Sequence, residues 1–239
     1  SFNISSFNNR WLKRSPYDAL NVFQKADDRS DIVFGWETNG IIQDIADRPS
    51  YMPNARLGNV IYVDQNKDNV LDIKDVVVLG HTTPKFAFGL GNRLQFMNFD
   101  FDIFVYGRIK QNMTNNLSGF YAADRLGIPA GQNTLTDIKN VWTFDNPTGT
   151  LPGIASNPYA VPTGANSNFY RQDVSFLRVR NITLGYTFKP RKILRSARLF
   201  VDVQNVGLLT NYDGYDPEIS ETNPYPQTLS TTVGLSISL

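Results

Sequence analysis

The chain of 239 residues contains no cysteine. Neither a disulfide framework nor a thiolate metal site can therefore be built from it. Histidine is limited to His81, which leaves little for a histidine-based triad or zinc site. Charge is sparse: 19% of residues are charged and the formal net charge is +1. A balanced chain without Lys/Arg runs offers no electrostatic attraction to nucleic acid. No run of about 18 apolar residues is present, so no membrane-spanning helix can be read. That does not exclude a membrane, because a spanning strand needs only about 9–11 residues of alternating character. The chain opens in mid-pattern at Ser1-Phe2-Asn3-Ile4-Ser5, without initiator Met or signal peptide. It reads as a piece of a longer protein or one chain of a split one.

What is present is aromatic and alternating. Phe occurs 16 times and Tyr 11 times. In 85–97, Phe86, Phe88, Leu90, Leu94 and Phe96 occupy even positions. Lys85, Ala87, Gly89, Gly91, Arg93 and Gln95 occupy odd ones. Successive side chains point to opposite faces of a strand, so this is one greasy face and one small or polar face. Residues 99–109 continue the pattern after Met97-Asn98, which predicts a tight hairpin. Ile182, Leu184, Tyr186 and Phe188 alternate with Asn181, Thr183, Gly185 and Thr187 in 176–188. The runs 198–209 and 227–239 behave alike, the last most cleanly. Residues 2–6 and 20–34 predict two further strands. Connections alternate between short (97–99, 189–197) and long (35–84, 110–174, 210–226). Outer-membrane barrels have short periplasmic turns and long extracellular loops. The expected fold class is therefore all-β: a transmembrane antiparallel β-barrel, with this chain supplying roughly the last seven strands of a larger one. Seven strands alone would leave two open edges in lipid, so the remainder of the barrel must complete them.

Residues 64–75, DQNKDNVLDIKD, have the spacing of a calcium loop. Asp64, Asn66 and Asp68 fall at positions 1, 3 and 5. The Val70 carbonyl falls at 7, Asp72 at 9 and Asp75 at 12. Hard Ca²⁺ takes six to eight oxygens, and this spacing aims three side chains inward. Asn69 stands where glycine usually makes the turn, and Asp75 where a longer Glu is usual. An Asx-rich turn without an ion is the alternative. Asp213, Asp216 and Glu218 would admit a glycosidase carboxylate pair, but the surrounding Tyr, Gly and Pro read as turn chemistry. Trp142, Tyr212, Tyr215 and Tyr225 could stack on sugars or pack the loops.

Several blocks, in order, resemble the SusC/RagA-type TonB-dependent outer-membrane transporters of Bacteroidetes. They are FGWETNGIIQ (34–43), LGNVIYVDQNKDNVLDIKD (57–75), TPKFAFGL (83–90), VWTFDNPTGTLPG (141–153), SFLRVRNITLGYTF (175–188), FVDVQNVGLLTNYDGYDPE (200–218) and YPQTLSTTVGLSISL (225–239). Asn69 departs from the usual loop glycine, and Leu239 from a terminal aromatic. The resemblance implies that residues 1–239 are the C-terminal part of a barrel of about 22 strands with a plugged lumen. It implies a bacterial outer-membrane location among lipid, with no catalysis. It implies import of an oligosaccharide or peptide, energised by a TonB complex and assisted by a SusD-like surface lipoprotein. A different class, a secreted calcium-dependent carbohydrate-binding or adhesion β-module, would also account for the aromatics and the acidic loop. It would not account for the alternating loop lengths.

Overall fold

The computed structural model describes residues 1–17, 28–114, 136–153, 167–188, 195–214, 216–219 and 227–238. Ten strands follow in chain order: β1 (Phe2–Ser5), β2 (Ile32–Trp36), β3 (Thr38–Ile41), β4 (Val60–Tyr62), β5 (Val76–His81), β6 (Phe86–Phe96), β7 (Phe99–Thr114), β8 (Arg171–Phe188), β9 (Ser196–Thr210) and β10 (Ser230–Ser238). The chain divides into two compact units. One comprises Ser1–Asn8, Thr83–Gln111 and Asp173–Leu239; the other comprises Asn9–Thr82 and Asn112–Gln172.

The first unit is built on a six-stranded sheet in the order β1-β6-β7-β8-β9-β10. Its hairpins are antiparallel, as the period-2 pattern predicts. Phe96 pairs with Phe99, so Met97 and Asn98 alone make the β6–β7 connection. Met97 takes a φ of 53°, a left-handed conformation that two-residue hairpins demand and that usually selects Gly or Asn. Asn98 anchors this turn to β8: its Nδ2 donates to the Thr187 carbonyl at 2.9 Å and its carbonyl accepts from Thr187 N–H at 2.8 Å.

Register places the apolar residues of neighbouring strands side by side. Phe2 lies opposite Leu90, which lies opposite Val105. Leu184 lies opposite Val201, which lies opposite Val233; Tyr186, Leu199 and Leu235 form the next row. Much of this face is exposed: Leu94 is 58%, Val233 68% and Leu235 61% exposed. A contiguous sheet face of Leu, Val, Ile and Phe left open is the kind of surface that meets a membrane or a partner. The opposite face carries Asp100, Asp102, Arg198, Asp202 and Gln204 on the alternate positions.

The β8–β9 ladder is interrupted between Val179 and Asn181, which pair with Gly207 and Gln204. Asn205 takes a φ of 54° there. One extra residue on one side of a ladder is a bulge, which re-aims the side chains beyond it.

The second unit holds two small antiparallel sheets, β2 with β5 and β3 with β4. Residues 32–36 therefore pair with 76–81 and do not join the six-stranded sheet. The sequence reading of seven wall strands becomes six among the described residues; 18–27 lie outside them. Both β2 and β5 are short apolar runs, and periodicity cannot tell such runs which neighbour they will take. The 35–84 connection is not a plain loop either. Trp36, Ile42, Met52, Ala55, Val60 and Tyr62 form a buried core within it. Trp36 meets Tyr62 edge-on at 6.2 Å. Gly58 has a φ of 80°, and a Cβ there would strike Trp142 and the Gly153 backbone. That close approach brings 141–153 onto the core and buries Trp142.

Candidate functional site

Two constellations of polar side chains stand out, one in each unit. In the first unit, the polar face of the sheet is stitched by ions across its strands. Arg198 of β9 reaches over Gly185 of β8 to Asp100 of β7. Its Nε donates to Asp100 Oδ1 at 2.9 Å, and its Nη2 donates to Oδ2. Thr183 donates to Asp202 at 2.6 Å, and Gln204 donates to the other Asp202 oxygen at 3.0 Å.

Higher on β8, Arg178 is buried at 3% exposure. Its Nη2 donates to both oxygens of Asp216, at 2.7 and 2.6 Å, and its Nε donates to Glu218 at 2.7 Å. The Tyr106 hydroxyl of β7 donates to the same Glu218 oxygen at 2.5 Å. A planar guanidinium suits this because it presents its donors as a fixed fork. Two carboxylates bound to one guanidinium are not a free acid–base pair, so the glycosidase reading of Asp216 and Glu218 finds no support in the geometry. The sequence reading did not find Arg178 as their partner. Its signal was an Arg set between apolar Leu177 and Val179.

Asp100 and Tyr106 are both even-numbered on β7 and share a face. Below the bulge, odd Gly185 meets Asp100 on that face. Above it, even Arg178 meets Glu218 beside Tyr106. Odd Gly185 and even Arg178 thus serve one face on either side of the register shift, whose extra residue lies on β9.

In the second unit, the acidic loop turns its oxygens onto its own backbone. Asp64 accepts from Lys67 N–H at 2.7 Å and from Asn69 N–H at 2.8 Å. Asn66 accepts from Asp68 N–H at 3.0 Å, and Asp68 accepts from Val70 N–H at 2.9 Å. Asn69 adopts a φ of 64°, the left-handed conformation its position requires. Asp72 caps the 3-10 turn Ile73–Asp75 by accepting from Lys74 N–H at 2.8 Å. Asp75 is fully buried and binds Gln65 N–H and Asp72 N–H, each at 2.9 Å. The Lys74 ammonium lies 3.4 Å from both Asp68 and Asp72. The Asn66 hydrogen bond, then the Val70 and Lys74 donors, hold the Asp68 carboxyl below its ordinary range against desolvation. The Asp72 and Asp68 charges raise Lys74. The donor set is one a hard cation favours. Among the described residues, however, no three acidic or histidine side chains are gathered as a metal-ligating group.

The proposed sugar-stacking residues separate. Trp142 is buried against Gly58 and Gly153. Its neighbour Phe144, 5.2 Å away, is 84% exposed. Tyr212 packs over Gly214. Tyr215 and Tyr225 lie outside the described residues.

No family model matches the chain. Curated relatives do. It is 28% identical over 182 residues to TonB-dependent receptor P3 of Formosa agariphila, covering 74% of this chain and 17% of that protein. It is 25% identical over 196 residues to TonB-dependent receptor SusC of Bacteroides thetaiotaomicron, covering 78% of this chain and 18% of that protein. The chain thus spans less than a fifth of these relatives' length. Among solved structures, the RagAB peptide transporter superposes with a TM-score of 0.66 at 19% identity, over 90% of this chain and 23% of that one. The RagAB peptide importer in its closed-closed state gives 0.62 at 20% identity, over 92% and 24%. The all-β architecture is that of a stretch of the RagAB barrel. By sequence the chain is similar to SusC and other TonB-dependent receptors, and its fold is similar to a stretch of the RagAB transporter.

Proposed function

We propose that this chain forms part of the wall of an outer-membrane importer for large nutrients, oligosaccharides or peptides. The observation that carries the reading is the two-faced sheet. Its apolar face, rowed from Phe2 through Leu90 to Val105 and from Leu184 through Val201 to Val233, suits lipid. Its other face, ion-paired through Asp100, Arg198 and Arg178, suits a wet lumen. Spanning strands satisfy every backbone group only in a closed barrel, so strands on either side of β1 and β10 would complete the wall. Residues 35–84, 110–174 and 210–226 would then face outward, where the second unit would meet substrate or a SusD-like surface lipoprotein. Energy would come from a TonB complex acting on the rest of the receptor. The test is fractionation and uptake. The full receptor partitions with the outer membrane, and its deletion abolishes growth on one class of oligosaccharide or peptide. A receptor recovered in the soluble fraction would contradict the reading.

A second proposal concerns the loop at 64–75: it takes Ca²⁺ through Asp64, Asn66, Asp68, the Val70 carbonyl, Asp72 and Asp75. The left-handed Asn69 supports it. Lys74, between Asp68 and Asp72, stands where a cation would compete. Calcium's role would be to stiffen the second unit rather than to react. Calorimetric titration of the receptor with Ca²⁺, after chelation, tests this directly.

A further inference from the structure

We propose that Arg178 is a positioning residue of the import passage: it clasps residues 211–214 and 216–219 to the polar face of the wall, making them a fixed lining element rather than a moving lid. The passage itself rests on the import reading above; the clasp rests on geometry alone.

The segment is held at two places. At its start, Asn211 accepts from Ser175 N–H at 2.7 Å and donates through Nδ2 to the Asp173 carbonyl at 2.9 Å. At its far end, Asp216 and Glu218 enter the fork of Arg178. Asp216 also accepts from Glu218 N–H at 2.9 Å, so the two carboxylates are presented to the guanidinium as one rigid unit. Tyr106 adds a donor from the neighbouring strand. Arg178 and Asp216 are both buried, so water cannot replace either partner cheaply. Losing the guanidinium would leave two carboxylates facing each other in a dry site. The segment would therefore leave the wall as a unit rather than shift by degrees.

Amide exchange of the detergent-extracted full receptor, read by mass spectrometry on peptides from 211–219, tests the clasp. In the wild type these amides exchange at least about a hundredfold slower than an unstructured chain, as a pinned segment must. Arg178→Met accelerates them at least about tenfold, and Tyr106→Phe by a few-fold, while peptides from 196–210 keep their protection. Arg178→Lys lies between Met and wild type, because one ammonium cannot fill a three-bond fork. Free-chain exchange in the wild type, unchanged exchange in Arg178→Met, or full rescue by Lys would each overturn the clasp. If Arg178→Met fails to assemble, Tyr106→Phe, which removes one hydroxyl, decides alone: no acceleration would overturn it. None of these readouts needs transport, and the fractionation test needs none of these variants, so the two claims fail separately.

Discussion

Arg198 and Asp100 meet across two strand spacings because the residue between them, Gly185, has no side chain. A Cβ at Gly185 would lie 2.4 Å from Asp100 Oδ1 and 2.6 Å from Arg198 Nη2. Glycine in a strand interior weakens the strand unless something approaches closely. Here the approach is an ion pair laid flat over the sheet. The ion pair and the glycine therefore form one device that ties three strands on the polar face.

Gly185→Ala is expected to push the pair apart at the cost of roughly 1–2 kcal/mol, the scale of hydrogen bonds between charged groups. The check is the temperature at which the receptor loses its compact migration on unheated gels. A double-variant comparison sharpens it: in an Arg198→Ala background, Gly185→Ala should cost nothing further. An equal cost in both backgrounds would show that the glycine serves the backbone and not the pair.

Asp75 is the keystone of the acidic loop, since it is fully buried and both oxygens are bound to backbone N–H groups. Asp75→Ala strands both donors and is expected to cost about 2–4 kcal/mol of local stability. Faster proteolysis within 64–75, with β6–β10 peptides untouched, is the expected outcome. Asp72→Ala removes only a cap and should cost about 1 kcal/mol.

The pH dependence of the same loop has a defined sign. Asp68 is held below the usual carboxylate range, so its contribution is complete above about pH 4 and fades as acid protonates it. Lys74 is raised, so its contribution is complete below about pH 10 and fades as base removes its proton. Protection of the 64–75 amides should be flat between these limits and fall at both ends. A change centred near pH 6–7 would contradict this assignment.

Lys74 also bears on calcium. If its ammonium competes for Asp68 and Asp72, Lys74→Gln raises the affinity of the loop for Ca²⁺, and Asp64→Asn lowers it. Calorimetry on chelated receptor reads both. No heat from either variant or from the parent would remove calcium from the account.

Much of the wall was legible because one face is nearly uniform. In 227–239, Val233, Leu235 and Ile237 alternate with Thr232, Gly234, Ser236 and Ser238, and β10 forms as read. In 85–97 the same logic placed β6 and its two-residue turn. β8 was read as 176–188, short of its start at Arg171, and the inward turn of Arg178 was not read. The partner of β2 was not legible, since Val76-Val77-Val78-Leu79 carries no alternation to set its face. The acidic loop was legible in full as a loop, because oxygen spacing is local. The fork of Arg178 was not, because Asp216 and Glu218 lie 38 and 40 residues away and only the fold joins them.

The most direct test uses the absence of cysteine in this chain. Single cysteines placed along β10 of the full receptor, with any cysteine outside this chain replaced by serine, report in intact cells which face meets water. A charged maleimide should label Thr232→Cys and Ser236→Cys but not Val233→Cys, Leu235→Cys and Ile237→Cys, and a lipid-soluble maleimide should reverse the pattern. Equal labelling of both sets by the charged reagent would mean that the apolar face is not in lipid, and the membrane-wall account would fall.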